Sequence, residues 1–123
     1  YRSWCNSTMS GPRNKGQGKD IDYAWEAFKK DFNLKTDDKV KDFKGNPLDF
    51  AKKIAKAGIP MLHVVGDADN VVPVSENTAP FEQKINEAGG SIQVIHKPGI
   101  GHHPHSLQNP QPIVDFILKA VNY

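Results

Sequence analysis

The feature that most constrains the fold of this chain is an alternation of strand and helix patterns in its second half. Residues 59–65 (IPMLHVV) form a short, continuously apolar run, which is typical of a strand buried on both faces of a parallel sheet. Residues 75–88 have the pattern of a helix, residues 92–96 that of a second buried strand, and Asn109 can cap a last helix. Strand, helix, strand and helix at this spacing predict an α/β fold class, a βαβα unit of a mostly parallel sheet with a right-handed crossover.

The first half of the chain has helical patterns and no strand pattern. Asp20 can cap a helix on which Trp25 and Phe28 share one apolar face. A sugar-stacking platform is one interpretation of the aromatic residues Trp4, Tyr23, Trp25 and Phe28, but aromatic residues at helical spacing predict core. Thr36 can cap a short second helix, and a third helix ends at Gly58, which can take a positive φ. We therefore predict three segments: an irregular loop at 1–19, a helical segment at 20–58 and an α/β core at 59–123.

Length, composition and charge exclude several classes of protein. The 123 residues suffice for one core, and 37% hydrophobic with 24% charged residues argues against a disordered or membrane protein. A net charge of +2 with interspersed signs gives no reason to expect a nucleic-acid or membrane partner. The single cysteine, Cys5, excludes an internal disulfide framework. Because the chain begins at Tyr1 without Met, we expect a processed or truncated chain whose localisation stays open.

Polar side chains collect directly after each of the two predicted strands. The first loop, residues 66–73, contains two carboxylates and the second, residues 98–105, three imidazoles: Asp67 and Asp69, then His102, His103 and His105. In open α/β sheets functional groups lie in the loops past the carboxyl ends of the strands. Neighbouring parallel strands are about 4.8 Å apart, so a carboxylate of one loop can reach an imidazole of the next. Such a contact fixes the tautomer of a histidine that acts as a general base.

The two loops resemble the acid and histidine loops of the α/β-hydrolase superfamily. The resemblance rests on Gly66-x-x-Asp69-x-x-Val72-Pro73 after a strand and on Gly99-x-Gly101-His102 after the next, and it covers about residues 45–123. It implies a partial α/β-hydrolase fold, the C-terminal part of a serine-type enzyme. The catalytic acid is then Asp69 and the general base His102. We expect a carboxylate oxygen of Asp69 within about 4 Å of a ring nitrogen of His102.

Three further stretches are similar to a subgroup of bacterial hydrolases often found beside polysaccharide-degrading enzymes. They are Gly45-Asn46-Pro47, residues 56–60 (KAGIP) and residues 97–106. This similarity implies a carboxylic-ester hydrolase that removes acetyl or acyl groups from a glycan, without a cofactor, in the periplasm or outside the cell. A xylanase-like protein, a prolyl-oligopeptidase-like peptidase and a non-catalytic module derived from a hydrolase remain alternatives.

The nucleophile of such an enzyme is missing from these residues. The superfamily places its serine in a G-x-S-x-G elbow upstream of the acid, and this sequence has no such motif. Ser3, Ser7 and Ser10 lie in a loop without a preceding apolar strand. Ser75 is interpreted as a helix N-terminal residue, and Ser106 comes after the histidine. We expect this chain alone to be nearly inactive. Because the edge of the strand at 59–65 lacks protecting residues, we also expect self-association or pairing with a missing N-terminal half.

The candidate residues also have structural interpretations. Asp69 can simply close an Asx turn, and Asp67, the rival acid, is better interpreted as a turn residue beside the pair. His103 and His105 are expected to flank the pair or lie at the surface. His63 is expected to be a hydrogen-bonded core residue and His96 to be exposed at a strand end.

Two other chemistries use the same loops. His102, His103 and His105 with a nearby carboxylate could bind Zn²⁺, but their spacing matches no CxxC or HExxH pattern, so we predict no metal from the sequence. A triad of Cys5, Asp69 and His102 has a suitable chain order, but Cys5 has neither elbow glycines nor a strand before it.

Overall fold

The computed structural model describes residues 19 and 21–122. Their elements in chain order are α1 Ile21–Asp31, α2 Asp37–Lys41, α3 Pro47–Lys56, β1 Met61–Gly66, a 3-10 turn Val74–Glu76, α4 Thr78–Glu87, β2 Ile92–Lys97 and α5 Gln111–Ala120. The strands pair in parallel, in a register running from Met61 opposite Ile92 to Gly66 opposite Lys97. The predicted α/β class and the parallel pairing are therefore confirmed. The loop predicted at 1–19, apart from Lys19, lies outside the described residues.

The helices α1 and α2 enclose a small core of their own. Trp25, Phe28 and Val40 are buried in it, and the indole Nε1 of Trp25 donates to Asp37 Oδ1 at 2.9 Å. Thr36 begins α2 as predicted, since its hydroxyl accepts from the backbone of the helix at 3.4 Å. The prediction of core residues is thus confirmed for Trp25 and Phe28 and wrong for Tyr23, which is 80% exposed. Trp4 lies outside the described residues.

A second core lies between α3, α4 and the sheet. Its buried residues are Leu48, Ala51, Ala55, Phe81 and Ile85, and Met61 and Ile92 at the starts of the strands pack against it. The backbone of Gly58 has a φ of 65° and ends α3 as predicted. This core fixes β1 and β2 relative to α4 and so sets the position of the loops that follow the strands.

The prediction that β1 is buried on both faces is wrong for the described part of the chain. Leu62, Val64 and Val65 are only half-buried, because β1 pairs with β2 on one side and no described strand lies on the other. No described residue of α5 is buried, and Ile117 and Val121 are 53% and 62% exposed. Strand β2, predicted to be a second buried strand, also has no buried residue. The apolar run of β1 and the apolar face of α5 are therefore open to solvent in the described part of the chain.

Element boundaries differ from the predictions by a few residues. Strand β1 starts at Met61 and leaves Ile59 exposed. Helix α4 starts at Thr78, after the separate 3-10 turn. The side chain of Asn109 accepts from Gln111 N at 3.1 Å, but the N-cap of α5 is Pro110, one residue after the predicted cap. Among the described helices none has both the length and the apolar character that a bilayer crossing requires.

Candidate active site

The loops after β1 and β2 are held together by their backbones. Asp67 N donates to Lys97 O at 3.2 Å, and Ala68 N donates to Ile100 O at 3.0 Å. Gly66, the last residue of β1, is buried, and a Cβ there would collide with the carbonyl oxygens of Ile100 and Gly101. A glycine at this position is therefore what allows the two loops to approach closely.

This approach brings Asp69 and His102 into contact. Asp69 Oδ2 and His102 Nδ1 are 2.9 Å apart, and the side chains are only 12% and 19% exposed. The other oxygen, Oδ1, accepts from Val71 N at 2.9 Å and from Val72 N at 2.8 Å. The predicted contact below about 4 Å is confirmed. The Asx turn that seemed an alternative role is also present, so Asp69 closes its own loop and holds the histidine at once.

The surroundings of Asp69 keep its carboxyl group ionised. Burial by itself raises the pKa of Asp69, but the hydrogen bonds from Val72 N, His102 and Val71 N outweigh burial and hold that pKa below its ordinary value of 3.8. An ionised carboxylate can only accept hydrogen bonds, so the shared proton is on Nδ1 of His102. The other ring nitrogen, Nε2, accepts or donates no hydrogen bond among the described residues.

A second carboxylate–histidine pair connects the loop after β1 with strand β2. Asp67 Oδ1 and His96 Nδ1 are 2.6 Å apart, and these side chains are 37% and 52% exposed. The rival acid Asp67 therefore contacts His96 rather than His102. Sequence reasoning missed this pair. The parallel register, which places Val65 opposite His96, was the signal that could have found it, because residues two apart on an extended chain face the same side.

His103 and His105 crowd the ring of His102. Their ring centroids lie 4.9 Å and 4.7 Å from that of His102, and 4.2 Å from each other. The pKa of His105 is lowered, first by desolvation and then by the charges of His103, His102 and Lys97. The ammonium group of Lys97 donates to the carbonyls of Pro104 and, at 3.4 Å, Ser106, which fixes the loop that carries these rings.

A cavity of about 270 Å³ opens beside the pair. Its lining residues come from β1 and the loop after it, from the start of α4 and the turn before it, and from the end of β2 and the histidine loop: His63, Val64, Val65, Gly66, Asp69, Val72, Val74, Asn77, Thr78, Lys97, Gly101, His102 and His105. His63 Nδ1 lies 3.2 Å from Thr78 Oγ1, and its ring stacks on Phe81. Burial lowers the pKa of His63, against the charge of Glu82. The predicted hydrogen bond of His63 is confirmed, but its place in the core is not, because the residue is half-buried and lines the cavity.

A larger cavity, of about 610 Å³, lies between α5 and the starts of the strands. Its ionisable lining residues are Asp115 and Lys119, and it contains no histidine. Because the paired acid and base lie at the other end of the sheet, we place the candidate site in the smaller cavity.

The described residues supply no nucleophile to His102. Ser75 and Ser106 are exposed, and within residues 19 and 21–122 no serine side chain hydrogen-bonds to the histidine. The other candidates, Ser3, Cys5, Ser7 and Ser10, lie outside the described part of the chain. Comparison with family models, with curated proteins and with solved structures finds no match for this chain.

Proposed function

We propose that this chain supplies the acid, Asp69, and the general base, His102, of a serine-type carboxylic-ester hydrolase. The nucleophile comes from a segment outside these 123 residues. The fold is then part of an α/β-hydrolase sheet, in line with the resemblance of the two loops.

One observation supports this proposal above the others: Asp69 uses its two oxygens for two different tasks. Oδ1 is bonded to two backbone amides of its own loop, and Oδ2 meets His102 Nδ1 at 2.9 Å. A carboxylate fixed in this way orients the imidazole, selects the Nδ1–H tautomer and stabilises the imidazolium that forms during catalysis. An aspartate that only closed an Asx turn would need the bonds to the backbone amides but not the contact with the histidine.

The chemistry follows from the free nitrogen of His102. Nε2 takes the proton of a serine hydroxyl while its oxygen attacks the ester carbonyl, and the resulting imidazolium then gives that proton to the departing alcohol. In the second half Nε2 takes a proton from water while the water oxygen attacks the acyl-enzyme, and the imidazolium returns that proton to the serine oxygen as the carboxylic acid leaves. Asp69 stays ionised throughout, which its lowered pKa favours.

A glycan acetyl ester is the substrate class that the resemblance of the sequence implies. The cavity of about 270 Å³ beside Asp69 and His102 is where the acyl group would lie. Val64 and Val65 line this cavity and belong to the open strand, so the segment that carries the nucleophile would form its remaining wall.

The segment that carries the nucleophile would pair with the open edge of β1. The open edge of β1 ends at Gly66, beside Asp69, and its apolar residues Leu62, Val64 and Val65 are only half-buried. A strand paired to that edge would cover them and deliver its own carboxyl-end loop next to His102. We expect this segment to be the N-terminal half of the same protein or a partner chain.

The test is ester hydrolysis by the protein extended with the residues encoded upstream of Tyr1. The extended protein should hydrolyse 4-nitrophenyl acetate, and the present chain alone should be nearly inactive. His102→Ala should remove the activity by several orders of magnitude. His96→Ala is the matched control, because it removes the other strand-end imidazole, and it should leave turnover unchanged. Equal activity of the His102→Ala and unmodified proteins would refute the proposal.

A further inference from the structure

The three imidazoles at the mouth of the candidate site form a cluster of their own. One ligand nitrogen from each of His102, His103 and His105 lies within 4.8 Å of the others. His103 and His105 are exposed, so their rings can rotate without unpacking a core. In a tetrahedral zinc site, Zn–N bonds of about 2.0–2.1 Å place neighbouring nitrogens about 3.3 Å apart. Closing the three nitrogens around one ion therefore requires the rings to move closer together, and the exposure of His103 and His105 allows that movement.

Asp69 orients one of these ligands in the way that metal sites require. Its Oδ2 accepts from Nδ1 of His102, which leaves Nε2 as the nitrogen available for coordination. A histidine that ligates a metal nearly always donates its other N–H to a carboxylate or carbonyl, which fixes the ring and makes it a better ligand. Asp69 also adds a negative charge close to the cluster and so offsets the nearby ammonium of Lys97, which is bonded to the carbonyls of Pro104 and Ser106.

We propose that His102, His103 and His105 bind one divalent transition-metal ion of the zinc type through three imidazole nitrogens, with the fourth position open. Imidazole ligands suit Zn²⁺, Ni²⁺ and Cu²⁺, whereas Mg²⁺ and Ca²⁺ prefer oxygen ligands. The sequence spacing gave no sign of such a site. What carries it is the arrangement of the rings together with the carboxylate behind His102.

The metal site and the general base share His102 Nε2. A bound ion occupies the nitrogen that would take the serine proton, so metal and acid–base catalysis exclude each other at this residue. This mutual exclusion rests on the proposed function, whereas binding of the ion does not. Zinc binding can be measured on the present chain, because binding does not require the nucleophile. A failure of zinc binding and a failure of ester hydrolysis can therefore be distinguished.

The experiment is calorimetric titration of the untagged chain with ZnCl₂, with Cys5→Ser in every protein because a thiolate is itself a zinc ligand. We expect one ion per chain and no binding of Mg²⁺. His103→Ala and His105→Ala should each weaken binding by more than about 10-fold, and Asp69→Asn by about 10- to 100-fold, since it is the carboxylate behind a ligand.

His96→Ala is the control, because His96 is an exposed imidazole outside the cluster, and it should leave the affinity unchanged. Both cluster substitutions are at exposed positions, and circular dichroism checks that those variants remain folded. Absence of zinc binding to the folded parent chain would overturn the proposal. So would an affinity that does not change in the His103→Ala, His105→Ala double variant, or a loss with His96→Ala as large as with the cluster variants.

Discussion

Two carboxylate–histidine pairs connect the exit of β1 with the end of β2, and they differ in their surroundings rather than in their chemistry. Asp67 and His96 are 2.6 Å apart with 37% and 52% of their side chains exposed. Asp69 and His102 are 2.9 Å apart with 12% and 19% exposed. The shorter contact is the more solvated one. Proximity alone therefore does not separate a surface ion pair from a candidate catalytic pair.

The pairs differ in the further hydrogen bonds that the carboxylate accepts. Asp69 also accepts from two backbone amides of its loop, and His102 borders a cavity together with Asp69. An exposed pair is screened by water and contributes about 0–1 kcal/mol to stability. A carboxylate with two amide donors and an imidazole is fixed in place, and this fixation is what orientation of a general base requires.

The largest expected difference between the pairs is in catalysis. In the extended protein, Asp69→Asn should lower kcat for an acetyl ester by about 10⁴-fold, the loss seen when the triad carboxylate of a serine protease is made an amide and the imidazole takes the wrong tautomer. Asp67→Asn, the same change two residues earlier, should leave kcat unchanged. Steady-state hydrolysis of 4-nitrophenyl acetate measures both. Equal losses in the two variants would remove the distinction between the pairs.

The next effect concerns the glycine that lets the loops meet. Gly66→Ala places a methyl group against the carbonyls of Ile100 and Gly101, and relief of such overpacking typically costs about 1–3 kcal/mol in the free energy of unfolding. Gly101→Ala is the matched control, because the nearest atom to its Cβ is Ala68 O at 3.8 Å, an ordinary contact. Urea unfolding of the two variants should show a lower midpoint for Gly66→Ala only.

Replacing each carboxylate by alanine should also lower the free energy of unfolding more for Asp69 than for Asp67. Asp69→Ala leaves the amides of Val71 and Val72 without their acceptor, which costs about 1–3 kcal/mol where the groups stay away from water. Asp67→Ala, at an exposed position, should stay within about 0.5 kcal/mol of the parent. Urea denaturation of both variants at neutral pH measures this difference. A cost for Asp67→Ala as large as for Asp69→Ala would contradict the account.

A smaller effect depends on pH. Because the pKa of Asp69 is lower in the folded than in the unfolded chain, its ionised form stabilises the fold. This contribution is fully present above the unfolded value of about 3.8 and is lost as the pH falls through the lower, folded value. The difference in unfolding free energy between the parent and Asp69→Asn should therefore shrink as the pH falls below 3.8. A difference that grows in acid would contradict the direction of the shift.

The sequence predicted the parts of this molecule that local chemistry determines. Thr36 and Gly58 mark helix ends because capping uses nearby backbone atoms. Asp69 and His102 meet because parallel strands bring their following loops together. The burial of β1 and α5 was not predictable in the same way. An apolar pattern predicts which side chains a folded protein buries, but not which segment of the protein buries them.

The site shows the same limit. The sequence predicted the contact of Asp69 with His102 and the Asx turn as alternatives, and the structure has both at once. The pair of Asp67 with His96 and the approach of the three rings depend on how the loops fold. Spacing within one loop did not predict the ring cluster of His102, His103 and His105, because the positions of side chains depend on backbone turns rather than on residue intervals.

The central claim is that Asp69 holds His102 as the Nδ1–H tautomer and leaves Nε2 free to act as a base. Long-range ¹H–¹⁵N correlation spectra of the imidazoles test it directly in the present chain, at a pH well above the ordinary imidazole pKa of about 6.5. The account predicts a proton on Nδ1 and a bare Nε2 in His102, with the preference lost in Asp69→Asn and retained in Asp67→Asn. A proton on Nε2 of His102, or a tautomer that Asp69→Asn does not change, would contradict it.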